Sequence, residues 1–212
     1  MSGPKIEFGE AKLIFPLPLL SYRLPDAVEL NARLLSEIDE RQKAEKGYAR
    51  SNRKGWHSGD DFFMREEPAH RDVGKRIVDC ISDATKRLAS PDCLDKAVFE
   101  LQGWINVNPQ GAYNVPHDHP GSFWSGTYYV ARETAKRPKS DDGAIAFLDS
   151  RSPPSGQSLL DAKIFRSTHT ERPEPGTLLI FPSNLKHWVH PNQSVSDRVT
   201  LAFNAIARRK PA

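Results

Sequence analysis

Two histidines separated by a single residue, His117 and His119, are the side chains in this sequence best suited to hold a metal ion. On an extended chain, residues i and i+2 project to the same side, so both imidazoles can face one point while Asp118 points away. A metal needs a third protein ligand, and the best candidate is His187, which follows the apolar segment "TLLIFP". Three protein ligands leave positions open, as in catalytic metal sites. Spacing alone equally allows two ordinary surface histidines.

The elements that must position these histidines are short strands separated by turns, from residue 97 onward. Proline- and glycine-containing turns occur at "NPQG", "SPPSG" and "RPEPG". The candidate strands are "AVFELQGWINVN", "FWSGTYYVA", "GAIAFLD", "AKIFRST", "TLLIFP", "HWVHP" and "RVTLAFNAI". This pattern predicts a β-sandwich or jelly roll. No alternation of strands and helices follows, which argues against a Rossmann-type sheet.

Two amphipathic helices are predicted before the strands. Asp26 is a suitable N-cap for the first helix, and Gly47 can end it. The second helix is expected from about Arg71 to Leu88, with apolar residues along one side. Both helices are expected to cover one face of a sheet. Residues 51–64 between them read as a polar loop, and residues 12–24 as an extended segment.

The length of 212 residues predicts one domain, with a helical part over about 12–96 and a jelly-roll core over about 97–207. The net charge of +3 and the scattered basic residues argue against nucleic acid as the main partner. No apolar stretch is long enough to span a bilayer, so no membrane association is expected. Cys80 and Cys93 are the two cysteines, and they suggest reduced thiols in a cytoplasmic protein.

Three segments together carry a resemblance to a known family: "SNRKGWHS", "HDHPGSFWSGTYYV" and "GTLLIFPSNLKHWVHPN". The sequence resembles the Fe(II)- and 2-oxoglutarate-dependent dioxygenases over about residues 12–207. It is most similar to a bacterial and phage group of such oxygenases with unassigned substrate. The resemblance implies a mainly β fold, a double-stranded β-helix (jelly-roll) barrel with N-terminal flanking helices. It also implies Fe(II) and 2-oxoglutarate as cofactors, and an oxidation that releases succinate and carbon dioxide.

The family holds its iron with a His-x-Asp/Glu pair and a distal histidine. Carried onto this sequence, the first ligand is His117 and the distal ligand is His187. The acidic position falls on His119, which is a departure from the wider superfamily. A neutral imidazole removes one negative charge from the iron, although imidazole is itself a good iron ligand.

The family also places a basic residue on a late strand, where it binds the distal carboxylate of 2-oxoglutarate. Arg198 matches that position, and a guanidinium can hold a carboxylate with two parallel hydrogen bonds. Tyr129 matches a position whose hydroxyl can reach the cosubstrate, and Asn204 shares the polar face of the Arg198 strand. Asn106 and Asn114 are further candidates for cofactor binding. The alternative is a surface strand with Arg198 in solvent.

The substrate is not specified by these patterns and could be a small molecule or a protein. The "GWHSGDDFF" loop could form a lid or pocket wall, with Trp56, His57 and Trp124 as candidate lining residues. Barrels of this family are often homodimers, and the sequence allows a homodimer without requiring one.

Two other functions remain open at this stage. A cupin-type metalloenzyme on the same barrel would explain Gly176, Pro182 and His187 at cupin-like intervals, and would not use 2-oxoglutarate. A non-enzymatic jelly-roll binding protein with a vestigial metal site is the second alternative. Metal analysis with a succinate-release assay separates these possibilities.

Overall fold

The computed structural model describes residue 8 and residues 10–90, 92–133 and 141–210. Three α-helices lie in the first half of the chain: α1 (Ala27–Ala44), α2 (Pro68–Leu88) and the short α3 (Cys93–Lys96). The strands are β1 (Leu20–Arg23), β2 (Asn52–Arg53), β3 (Trp56–His57), β4 (Ala97–Asn108), β5 (Tyr113–His117), β6 (Trp124–Ala131), β7 (Ile145–Leu148), β8 (Thr168–Glu171), β9 (Thr177–Pro182), β10 (Lys186–Val189) and β11 (Arg198–Arg209). Short 3₁₀ helices span Phe62–Met64 and Lys163–Phe165.

The strands form two antiparallel sheets. The larger sheet has the order β1-β9-β6-β11-β4-β3, and the smaller one has the order β2-β5-β10-β7-β8. Strands distant in sequence are neighbours in both sheets, because the connections cross from one sheet to the other. The prediction of a mainly β jelly-roll barrel with N-terminal helices is confirmed.

Helices α1 and α2 cover the outer face of the larger sheet. Apolar side chains of α1 such as Leu34, and of α2 such as Ile77, are fully buried against sheet residues that include Leu201 and Phe203. This is the main hydrophobic core. Alternation along the strands sends every second side chain to this face. The other face of the same strands therefore points into the barrel.

Between the sheets the apolar packing is smaller and lies to one side. It consists of Tyr129, Ile145, Phe147, Leu179, Phe181 and Leu185. Apart from Trp104, most of the rest of the inner face of β4, β6 and β11 carries polar or small side chains. A barrel with this distribution keeps room for a ligand beside a packed wall.

The boundaries of several elements differ from the sequence prediction. Helix α1 ends at Ala44 rather than at Gly47, and Asp26 precedes it with a positive φ of 52° and no side-chain capping hydrogen bond. Helix α2 begins three residues earlier than predicted, at Pro68, which suits a first helical turn. Of the predicted extended segment 12–24, only residues 20–23 pair as a strand.

Three strands were not predicted from the sequence. The supposed loop 51–64 contains β2 and β3, which extend the two sheets at one end of each. Strand β5, which ends at His117, was also missed. Conversely, the predicted strand "AKIFRST" contains a 3₁₀ helix at Lys163–Phe165, and β8 starts only at Thr168. In the described part of the chain, no helix is both long and apolar enough to cross a membrane.

Candidate active site

Three histidines meet at one end of the barrel. His117 ends β5 and is paired in register with His187 on β10, which brings two residues far apart in sequence onto neighbouring strands. His119 lies two residues beyond the end of β5. Its backbone N–H donates to Ser183 O at 2.9 Å, so the loop after β5 is tied to the turn before His187. One ring nitrogen from each histidine lies within 4.8 Å of the others.

The hydrogen bonds of His117 and His187 leave one nitrogen of each ring free to bind a metal. His117 Nδ1 lies 2.7 Å from Val115 O, and His187 Nδ1 lies 2.9 Å from Leu185 O. A carbonyl oxygen only accepts, so each Nδ1 carries the proton and each Nε2 keeps its lone pair. A backbone acceptor of this kind is the usual partner of a metal-ligating histidine.

All three imidazoles are held in the neutral form that a metal requires. Burial lowers the pKa of His187 to about 3, and the His117 ring beside it acts in the same direction. Burial also lowers the pKa of His119 to about 4. The pKa of His117 is lowered by burial as well. The ligand set therefore fits a divalent metal: three neutral nitrogen donors, with no proton to displace near neutral pH.

Arg198 lies at the other end of the inner face, at the start of β11. Its side chain is buried, with the residue only 2% exposed. The guanidinium donates to Gly143 O at 3.0 Å, to Thr200 Oγ1 at 3.2 Å and to the Tyr129 hydroxyl at 3.2 Å. It also lies 5.0 Å from the centre of the Tyr129 ring. Burial raises the pKa of Tyr129, so its hydroxyl stays protonated.

Each of these three hydrogen-bond partners of Arg198 is electrically neutral. Among the described residues, no carboxylate forms an ion pair with it. A buried guanidinium without an opposite charge is costly, and proteins normally pair such a group. The cavity that contains Arg198 therefore fits an anionic ligand, and a carboxylate matches its fork of donors.

Asn106 and Asn114 both line the cavity, but their side-chain amides differ in how many hydrogen-bond partners they already have. The Asn106 Oδ1 atom is buried and has no hydrogen-bond partner among the described residues. Asn114 is already engaged, because it accepts from Asn108 Nδ2 and donates to Ser51 Oγ, each at 3.2 Å. Asn106 is therefore the better candidate to contact a ligand, and Asn114 holds the wall behind it.

Asn204, predicted as a cofactor-binding candidate, lies near His119 rather than beside Arg198. Its Oδ1 accepts from the Ser125 hydroxyl at 2.7 Å, and its Nδ2 lies 3.3 Å from His119 Nδ1. It lies six positions along β11 from Arg198, which places it at the histidine end of the barrel. Asn204 is thus a neighbour of the candidate metal ligand.

The cavity between the histidines and Arg198 is narrow, with a volume of about 40 Å³. That is room for about three water molecules. A ligand as large as a five-carbon dicarboxylate therefore requires side chains around the cavity to shift. Trp104 forms part of the wall. Its ring stacks on His57 at 5.5 Å and lies 5.7 Å from the His119 ring.

Of the three predicted substrate-pocket residues, His57 alone faces into the barrel. Trp56 packs against the main core on the outer face, and its Nε1 donates to Glu45 O at 3.1 Å. Trp124 is buried under α2 and donates to Thr85 Oγ1 at 2.9 Å. The expectation that both tryptophans line the pocket is wrong, since each lies on the helix-covered face of the larger sheet.

Sequence reasoning missed several residues of the site. Thr200 supports the Arg198 guanidinium, Ser125 supports Asn204, and Trp104 forms the wall next to His119. Each of them lies at an alternate position along a predicted strand, on the face expected to point inward. The face of the strand on which each lies could be predicted from the alternating pattern of the sequence. Their contacts could not, because these depend on the register between strands.

A family model described as "Putative 2OG-Fe(II) oxygenase" matches residues 102–204. That segment contains His117, His119, His187 and Arg198. No match was found among curated proteins.

Solved structures with the same fold are numerous. A prolyl-4-hydroxylase from Pseudomonas putida is 19% identical, with 92% of this chain and 93% of that chain covered and a TM-score of 0.63. A prolyl hydroxylase from Trichoplax adhaerens, in complex with a fragment of a hypoxia-inducible factor, is 14% identical, with coverage of 89% and 83% and a TM-score of 0.61. HygX from Streptomyces hygroscopicus, with nickel and 2-oxoglutarate bound, is 13% identical, with coverage of 88% and 82% and a TM-score of 0.54. At these identities the likeness concerns the fold. The family match over residues 102–204 adds a sequence similarity to the Fe(II)- and 2-oxoglutarate-dependent oxygenases in the part of the chain that carries the three histidines and Arg198.

Proposed function

We propose that this oxygenase holds Fe(II) with His117, His119 and His187, and binds 2-oxoglutarate through Arg198. The observation that carries the proposal is the placement of a buried guanidinium, which has no carboxylate partner in the described part of the chain, in the same cavity as three neutral imidazoles. A dicarboxylate would reach from the metal to Arg198 and would supply a negatively charged partner for the guanidinium. When bound, iron supplies oxidising chemistry that couples oxygen and 2-oxoglutarate to hydroxylase-type oxidation of a substrate, with release of succinate and carbon dioxide.

The residues of the chain have separate tasks in this proposal. Arg198 would bind the distal carboxylate with two parallel hydrogen bonds, while Thr200 and Tyr129 fix the plane of the guanidinium. Asn106 would offer its unpartnered amide oxygen to a donor on a bound ligand or water. The carbonyl oxygens of Val115 and Leu185 would keep two ligand rings in the correct tautomer.

The substrate would approach past the His57 and Trp104 rings. His57 Nδ1 lies 2.6 Å from Ser58 O, so it carries the proton and Nε2 is left as an acceptor. Burial lowers the pKa of His57 and keeps it neutral. This wall would suit a substrate with a flat or apolar portion and a hydrogen-bond donor.

The cytoplasmic location and the homodimer stay predictions.

The test is an anaerobic calorimetric titration of the Fe(II)-loaded protein with 2-oxoglutarate. We expect binding by the wild type, and at least about 30-fold weaker binding by Arg198→Ala, because a lost charge-assisted contact of this type costs about 2 kcal/mol or more. Arg208→Ala is the matched control, since Arg208 lies on the same strand with an exposed side chain paired to Glu100. Metal binding without 2-oxoglutarate binding or succinate release would overturn the proposal and favour a cupin-type enzyme.

A further inference from the structure

His119 differs from the other two histidines in the partner of its Nδ1 atom. His117 and His187 face backbone carbonyl oxygens, which fix the proton on Nδ1. His119 instead faces the side-chain amide of Asn204, at 3.3 Å from Nδ2. An amide can turn over by 180° and present either N–H or oxygen, so this partner does not fix one tautomer.

In the structure, Asn204 presents its N–H group to His119. Because an N–H group can only donate, His119 Nδ1 accepts, and the single proton of the neutral ring lies on Nε2. A protonated Nε2 cannot bind a metal. If the amide turns over, Oδ1 accepts a proton from Nδ1 and the Nε2 lone pair becomes available. His119 then matches the other two ligands.

Ser125 allows both orientations of the amide. Its hydroxyl donates to Asn204 Oδ1 at 2.7 Å in the structure, and it can equally accept from Nδ2 after the turn. The two residues are direct cross-strand partners on β6 and β11, and both are buried, with exposures of 1% and 8%. The pair therefore keeps its mutual hydrogen bond in either state, and only the group shown to His119 changes.

We propose that Asn204, supported by Ser125, is a positioning residue that sets the tautomer of His119, and that its amide turns over when the metal binds. This inference rests on the proposed three-histidine metal site. It assigns to a side-chain amide the role that backbone carbonyls play for the other two ligands. Under this proposal, the availability of the His119 Nε2 lone pair for a metal depends on a neighbouring side chain.

The experiment uses long-range ¹H–¹⁵N NMR of the imidazole rings, without metal and with Zn(II) as a diamagnetic probe. In the metal-free wild type we expect the proton of His119 on Nε2, and those of His117 and His187 on Nδ1. With Zn(II), all three rings should carry Nδ1–H. A His119 ring that already carries Nδ1–H without metal would overturn the inference, and this measurement requires no variant.

Two substitutions test the same point through Zn(II) affinity at fixed pH, measured by competition with a chelator. Asn204→Ala should weaken binding about 10- to 100-fold, the usual effect of removing a partner of a ligating histidine. Asn204→Asp can only accept from Nδ1–H, so it should fix the metal-binding tautomer in the metal-free protein and bind Zn(II) more tightly than the wild type. Unchanged affinity in both variants would overturn the inference.

The matched control is Asn31→Ala. Asn31 is also a buried asparagine with two hydrogen bonds, to Val130 O at 2.8 Å and from the Tyr128 hydroxyl at 2.6 Å, but it lies on the helix side of the sheet. It should leave the tautomers and the Zn(II) affinity unchanged. Failure of the proposed metal site gives a different result, because none of the three imidazoles would then respond to Zn(II), whereas failure of 2-oxoglutarate binding alone would leave the Zn(II) response in place.

Discussion

The metal-free protein should lose stability steeply between neutral pH and about pH 5, because the partly buried His119 and the buried His187 resist protonation. The pKa of His119 is lowered from 6.5 to about 4, and that of His187 from 6.5 to about 3. The unfolded chain therefore binds more protons than the folded one throughout this window, so stability falls as the pH falls. Above about pH 6.5 neither state binds these protons and the effect vanishes.

The size of the effect follows from how far the pH lies below 6.5. At about pH 5 that distance is one and a half pH units, which corresponds to about 2 kcal/mol for each of the two residues. Together they should remove about 4 kcal/mol, a large share of the stability of an ordinary domain. Carboxylates such as Glu67, with a pKa lowered to about 2, contribute mainly at more acidic pH.

The assay is urea unfolding of the chelator-treated protein, followed by circular dichroism at about pH 7.5 and about pH 5. The comparison is with the double variant His119→Gln/His187→Gln, whose replaced side chains do not titrate. The wild type should lose about 4 kcal/mol more than the double variant over this interval. An equal loss in the two proteins would refute the reasoning, because it would mean that these imidazoles protonate as easily in the folded chain as in the unfolded one.

Two further predictions concern packing around the site. Gly126→Ala should lower the free energy of unfolding by about 1–3 kcal/mol, because the added methyl group would collide with the Phe203 ring; urea unfolding measures this. Thr85→Val should cost about 1–3 kcal/mol, since the buried Trp124 N–H loses its acceptor. It should leave 2-oxoglutarate binding unchanged in calorimetry, and weakened binding would contradict the placement of that tryptophan outside the cavity.

The long strands were predictable because they carry a clear alternating pattern. Residues 97–108 and 177–182 form strands with the expected boundaries. The two-residue strands β2 and β3 were not predictable, because a strand that short has no periodicity. They exist only because β2 pairs with β5 and β3 pairs with β4. The same holds for β5, whose five residues include a proline and an asparagine.

The same limit applies to the site: the alternation along a strand predicts which face a side chain lies on, but the register between strands decides which residues it contacts. The alternation of side chains along β6 puts Ser125, Thr127 and Tyr129 on the face opposite Trp124, so applying it would have excluded that tryptophan from the pocket. Alternation did not tell how deep Asn204 lies, because depth depends on the register of β11 against β6. The prediction therefore placed Asn204 on the correct face, but it could not tell that the residue lies near His119 rather than beside Arg198.

The departure at His119 and the unpaired Arg198 have a common electrostatic consequence. None of the three proposed ligands carries a negative charge, and the described residues that line the cavity include no aspartate or glutamate; Asp118, between two of the ligands, has only a minor effect on the His117 and His187 rings. A dianionic cosubstrate would then add most of the negative charge close to both the metal and the guanidinium. Its affinity for the site must depend strongly on the metal, and by linkage the affinity of the metal must depend on it to the same extent. If the proposed site is correct, the missing carboxylate would make metal binding depend on 2-oxoglutarate more strongly than in a facial triad that has its own carboxylate.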